Sequence, residues 1–186
     1  MSTPERVLVP LAEGFEEIEA VAIVDVLRRA ELEVTLAGLV PGPVRGAHGI
    51  LITPDAHLGE LDLARFTLLV CPGGQPGTRN LAADERVLAL ARRLHAEGRR
   101  TAALCAAPLV LHAAGILEGL DVTAHPSVQG KLPGARVHPQ ARVVRAGTVL
   151  TSQGAGTALE FALELVSDLV GPVRADELAR AMIARR

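Results

Sequence analysis

Short apolar runs alternate with amphipathic stretches through the first two-thirds of the chain, and nothing else in the sequence constrains the fold as tightly. Residues 6–10, 33–38, 66–71 and 101–104 read as strands. The run at 66–71 is nearly continuous in apolar character, as expected of a strand covered on both faces. Residues 16–30 carry a helical pattern, with Ile18, Val21, Ala22 and Val26 on one face. Residues 83–97 form a second helical stretch with Gly98 placed to cap it, and Pro108 opens a third that stops at Gly115. Residues 44–53, with Gly46 and Gly49, read as extended and irregular, a hairpin or a bulge. Further on come a short strand at 122–124, paired strands around Gly147, an amphipathic helix at 157–169 and a terminal helix at 175–184. This alternation predicts an α/β fold, a mostly parallel sheet with helices on both faces. The 186 residues, without repeat or linker, suit a single domain over 1–186.

Composition narrows the function classes. A formal net charge of −2 gives no bulk field for nucleic acid or anionic lipid. Aromatics are 2% of residues, with no Trp or Tyr, so a base-stacking surface is not expected. No apolar run is long enough to span a membrane. The opening Met1-Ser-Thr-Pro-Glu-Arg6 lacks the pattern of a signal peptide. The two cysteines, Cys71 and Cys105, show no metal-ligand spacing and fit a reducing compartment. The expectation is a cytoplasmic protein with no membrane partner and no metal.

Parallel sheets place their sites beyond the carboxyl ends of the strands, and three chemically suggestive segments fall there. The first is Cys105-Ala-Ala-Pro108, where a strand gives way to a helix. A thiol below the free N–H groups of a helix start is expected to be depressed in pKa and reactive. Free cysteine is also among the most buried residue types, so a core role is the alternative. The Ala106 N–H would face a developing oxyanion. The second is Cys71-Pro-Gly-Gly74, whose glycines permit close backbone approach and whose Gly74 N–H could supply another oxyanion donor. It matches neither a dinucleotide fingerprint nor a phosphate loop. Cys71 itself belongs to the strand and reads as core. The third holds Glu16, Glu17 and Glu19 near a helix start, where Glu16 and Glu17 suit the helix dipole. An acid facing the crevice would stay protonated and donate to a thiolate, but position alone does not select Glu19. His125, before Pro126, is a candidate base near neutral pH or an ordinary turn residue. His48, His57, His95, His112 and His138 have less to mark them.

The segments Ala12-Glu-Gly-Phe-Glu-Glu-Ile-Glu19, Cys71-Pro-Gly-Gly74, Ala103-Leu-Cys-Ala-Ala-Pro108, Thr123-Ala-His-Pro126 and Thr151-Ser-Gln-Gly-Ala-Gly-Thr157 together resemble the DJ-one/PfpI superfamily. The closest likeness is to its parkinsonism-associated deglycase branch, over about residues 7–169. The resemblance implies a flavodoxin-like sandwich, of the class I glutamine amidotransferase type, that forms a homodimer through its N-terminal helix region. It assigns the reactive thiol to Cys105, the acid that hydrogen-bonds it to Glu19, the oxyanion donors to Gly74 and Ala106, and the nearby histidine to His125. It implies cofactor-independent glyoxalase or deglycase action on methylglyoxal, other 2-oxoaldehydes or their glycated adducts, with a role in stress response. The alternative it carries is a redox sensor or chaperone whose Cys105 oxidises to a sulfinate. The peptidase branch places histidine directly after the cysteine; Ala106 stands there, so the pairing for peptide cleavage is missing. Some relatives hold an anion with paired arginines across the dimer. Here Arg28 or Arg29 and His48 occupy those places, which implies a weaker or pH-dependent anion site.

Overall fold

A computed structural model describes residues 5–185. Its strands are β1 (Arg6–Leu11), β2 (Glu33–Gly38), β3 (Val44–Arg45), β4 (Leu51–Ile52), β5 (Ala56–His57), β6 (Leu68–Cys71), β7 (Arg100–Leu104), β8 (Asp121–Val122), β9 (Arg136–Val137), β10 (Val143–Ala146) and β11 (Val149–Ser152). Its α-helices are α1 (Glu17–Arg29), α2 (Gly77–Ala82), α3 (Glu85–Ala96), α4 (Pro108–Ala113), α5 (Pro126–Gln129), α6 (Ala158–Leu169) and α7 (Pro172–Ala181). The main sheet runs β10-β11-β7-β6-β1-β2-β5. Every pairing in it is parallel except β10 with β11. The 44–53 stretch is a hairpin, β3 against β4.

Alternation along the strands sorts the core into two layers. Val7, Val9 and Leu11 of β1, Leu68 and Val70 of β6, and Ala102 and Leu104 of β7 face α1, α6 and α7, where Phe161 is fully buried. Leu8, Leu69, Cys71 and Ala103 face the opposite layer, built on α2, α3 and α4. The parallel sheet with helices on both faces is thus the architecture observed, and each central strand is apolar on both sides because both sides are covered.

Three local expectations need correction. In α1 the core face is Ala20, Ile23, Val24 and Leu27 along with Val26, whereas Ile18 and Val21 are 61% and 52% exposed. The helix carries two apolar stripes, and periodicity alone does not say which one meets the sheet. The stretch at 83–97 begins at Glu85, and a separate α2 precedes it. α2 ends at Ala82 with Ala83 as its C-cap, and Asp84 caps α3 by accepting from the Arg86 N–H. The terminal helix starts at Pro172, whose fixed φ suits a first turn. Among the described residues no helix is long and apolar enough to cross a membrane.

Candidate active site

The carboxyl ends of β1, β6, β7 and β11 meet at one edge of the sheet, and Cys105 follows directly after β7. Its backbone has φ +63°, a left-handed conformation uncommon for a residue with a side chain and one that recurs at functional turns. Two long-range hydrogen bonds hold it there. The Cys105 N–H donates to Ser152 O at 2.9 Å, and its carbonyl accepts from the His125 N–H at 2.8 Å. The thiol is half-buried and packs against both core layers. Cys71 instead points into one layer, fully buried, and burial pushes its thiol up to about 12. It is core, as its place in the strand implied.

Three groups act on the Cys105 sulfur. The backbone N–H groups of Ala106 and Gly74 both favour its negative form. Gly74 is able to present its N–H because its φ is +89°, and a Cβ there would meet Glu16 N at 2.4 Å. The carboxyl of Glu19, wholly inaccessible to solvent, is the third group. Its Oε2 accepts from the Gly73 N–H at 2.7 Å. Its Oε1 is buried without a hydrogen-bond partner, and the carboxyl interacts with the Cys105 thiol. The residues alone left Glu16, Glu17 and Glu19 open; the structure separates them. Glu16 caps α1 by accepting from the Glu19 N–H, and Glu17 turns away to the His48 loop. Gly73, which sequence reasoning did not single out, orients the acid. Its lack of a side chain is required, since a Cβ would stand 2.7 Å from Cys105 Cβ and 2.8 Å from Glu19 Oε2.

His125 flanks them. Its Nδ1 lies 2.9 Å from Ser127 Oγ and accepts from the Ser127 N–H at 3.3 Å. A backbone N–H only donates, so Nδ1 is an acceptor and the proton of the neutral ring sits on Nε2. The opposite edge of the ring, at Cδ2, borders Gly154. His125 is therefore both the cap of α5 and a flank of the site.

The electrostatics correct one expectation. The thiol is not depressed: burial first, and then the negative Glu19, push Cys105 up to about 12, against the pull of the Ala106 and Gly74 amides. Burial likewise raises Glu19 to about 7, against the Gly73 N–H and the thiol. The two groups titrate as a pair. A carboxylate beside a thiol opposes thiolate, whereas a protonated carboxyl donates to it. The first proton thus leaves the pair near neutrality and the second far above.

Glu16, Glu17 and His48 bring ligand atoms within 4.8 Å of one another, the one such cluster among the described residues. These atoms already serve the fold. Glu17 accepts from the His48 N–H at 2.7 Å and contacts His48 Nδ1 at 2.9 Å. Arg28 pairs with Asp55 and Arg29 with Asp25, so each cation of the expected anion site has an acidic partner within this chain.

Residues 5–168 match the DJ-1/PfpI family. The chain is 38% identical to Parkinson disease protein 7 homolog of Danio rerio, over 97% of this chain and 98% of that protein. It is 37% identical to glutathione-independent glyoxalase DJR-1.2 of Caenorhabditis elegans, over 91% of each. Protein DJ-1 homolog B of Arabidopsis thaliana is 35% identical over 99% of this chain, which spans 42% of that longer protein. Among solved structures, Drosophila melanogaster DJ-1beta superposes with a TM-score of 0.95 at 35% identity, covering 99% of this chain and all of that one. Oxidised Toxoplasma gondii DJ-1 superposes at 0.92 with 32% identity, over 98% of this chain and all of that one.

Proposed function

Since the chain belongs to the DJ-1/PfpI family, we propose that it is a cofactor-independent, cysteine-dependent glyoxalase or deglycase acting on methylglyoxal, related 2-oxoaldehydes or their adducts. The observation that carries this is the sulfur of Cys105 held between two backbone N–H donors and a buried carboxyl that ionises near neutrality. A relative named as a glutathione-independent glyoxalase supports the same chemistry.

In this reading the Cys105 thiolate forms an S–C bond to the aldehyde carbon, and the carbonyl electrons move to oxygen. The Gly74 and Ala106 N–H groups hold that oxyanion, as preorganised donors do in acyl chemistry. Glu19 holds the thiol's proton and returns it to the adduct. His125, with its proton on Nε2, donates to the neighbouring ketone oxygen. Moving the hydrogen of the attacked carbon to the ketone carbon oxidises the first and reduces the second. The redox change is internal and needs no external oxidant. Water then cleaves the resulting thioester to lactate and the free thiol. Deglycation starts with sulfur attack at the same kind of carbon and departs from this path in its leaving group. The acting form is proposed to be a cytoplasmic homodimer, joined through the exposed α1 stripe of Ile18 and Val21, with a role in stress response.

A second reading is supported by the thiol's partial exposure and by the relative solved in an oxidised state. Here Cys105 takes one oxygen from each of two peroxide molecules, releasing water or alcohol, to become a sulfinate stabilised by protonated Glu19, and the protein senses oxidation. Methylglyoxal turnover by wild type and Cys105→Ser, with intact mass after mild peroxide, separates the two. The enzyme reading expects turnover in wild type and its loss in a folded Cys105→Ser variant. Turnover that survives the substitution contradicts it. No wild-type turnover, with a clean gain of two oxygens, establishes the sensor instead.

A further inference from the structure

Most glycines near the site are dictated by the protein itself. Gly73 would clash with Cys105 and Glu19, and Gly74 has a left-handed φ. Gly154 is different. Its φ of 167° is extended backbone that any residue adopts. A Cβ on it would meet only His125 Cδ2 at 3.6 Å and Cys105 Sγ at 4.0 Å, both ordinary van der Waals distances. The other glycines with neither a left-handed φ nor close neighbours, Gly130 and Gly156, are exposed, whereas Gly154 is half-buried. Nothing in the protein's own sterics demands glycine at 154. The space its side chain would take lies against the thiol on one side and the imidazole on the other.

The loop cannot swing away to make room. The Gly154 N–H donates to Thr157 Oγ1 at 3.1 Å, and Gly154 O accepts from that hydroxyl at 2.8 Å. Gly154 O also accepts from the Thr157 N–H at 2.8 Å. Thr157 Oγ1 is 2.6 Å from Ser152 Oγ, and Ser152 O accepts from the Cys105 N–H. The position of residue 154 is thereby fixed relative to the nucleophile. An attacked carbon has to come within about 3–3.5 Å of the sulfur, so substrate atoms and a Cβ at 154 would compete for the same volume.

We propose that Gly154 is a specificity-determining residue. Its missing side chain leaves the space that receives the substituent on the second carbonyl carbon of a bound 2-oxoaldehyde. This rests on the carbonyl chemistry proposed above and assigns the size limit of that site to one position. The test compares wild type with Gly154→Ala and Gly154→Val on glyoxal, methylglyoxal and phenylglyoxal. Gly154→Ala should lower kcat/KM for methylglyoxal by about tenfold, phenylglyoxal more and glyoxal least, and Gly154→Val should steepen the series. An equal loss on all three aldehydes, or no loss, overturns the assignment. Alkylation of Cys105, followed by mass spectrometry, reads the same space without catalysis. Both variants should slow N-ethylmaleimide more than iodoacetamide, with thermal unfolding close to wild type. If wild type turns over none of the aldehydes but this selectivity holds, the space assigned to Gly154 stands and the carbonyl chemistry fails. If both reagents slow equally, or neither slows, the assignment fails whatever the activity.

Discussion

Glu19 lies wholly inside the protein with no cation beside it, and its partner is a thiol. Burial therefore raises it to about 7, and that shift is also a statement about stability. An acid whose folded pKa lies above its unfolded value stabilises the fold in its protonated form. The contribution is full below about 4.5 and is lost as pH rises through about 7. The loss amounts to about 3 kcal/mol. Denaturant unfolding of wild type and Glu19→Gln across this range should show wild type losing roughly that much relative to the variant. A constant difference between the two would mean that Glu19 is not held protonated by burial. Cys105 shows the limit of sequence logic at this scale. Its place at a strand end, beside the Ala106 N–H, is legible because a parallel sheet brings its carboxyl ends to one edge. The direction of its pKa is not, because the opposing influences are burial of the thiol and then a carboxyl that comes from a different element, α1. The specific roles of Gly73 and Gly154 are illegible for a related reason. A glycine's role as empty space shows only when its neighbours are in place.

The elements that were most legible are those buried on both faces, such as β6 and β7, where apolar character is continuous. The least legible are short elements set by capping and tertiary contact. α2 and β5 have six and two residues, too few for periodicity to register. The β3–β4 hairpin shows how a side chain read as a dipole complement does something further. Glu17 reaches from the first turn of α1 and accepts from the backbone N–H of His48 at 2.7 Å and of Ile50 at 3.4 Å. Burial pushes Glu17 up, but the His48 hydrogen bonds outweigh it and hold the carboxyl below the usual range. The same pairing raises the His48 imidazole. Glu17→Ala leaves the hairpin tip without its anchor and should cost about 1–3 kcal/mol. Amide hydrogen exchange should then quicken at residues 46–50 before it does in the central strands. Uniform quickening through the sheet would contradict this anchoring role.

At the scale of the molecule, two apolar layers fix one sheet edge: the ends of β6 and β7 bring the thiol and its donors there, α1 brings the acid, and the imidazole comes from the segment after β8, outside the main sheet. α1 joins this interior to the surface: one stripe packs on the sheet and carries Glu19, while Ile18 and Val21 remain exposed. A homodimer joined there should dissociate in an Ile18→Lys, Val21→Lys variant, as sedimentation equilibrium would report. A wild type that sediments as a monomer contradicts the interface. The central claim is that Cys105 and Glu19 share one proton and that the singly deprotonated pair attacks the carbonyl. The direct measurement is kcat/KM for methylglyoxal against pH, in wild type and in Glu19→Gln. Wild type should rise with pH and level off above about 7, where the pair has lost its first proton. The variant, with no ionising partner for the thiol, should lose that limb. The same limb near 7 in both proteins would contradict the account.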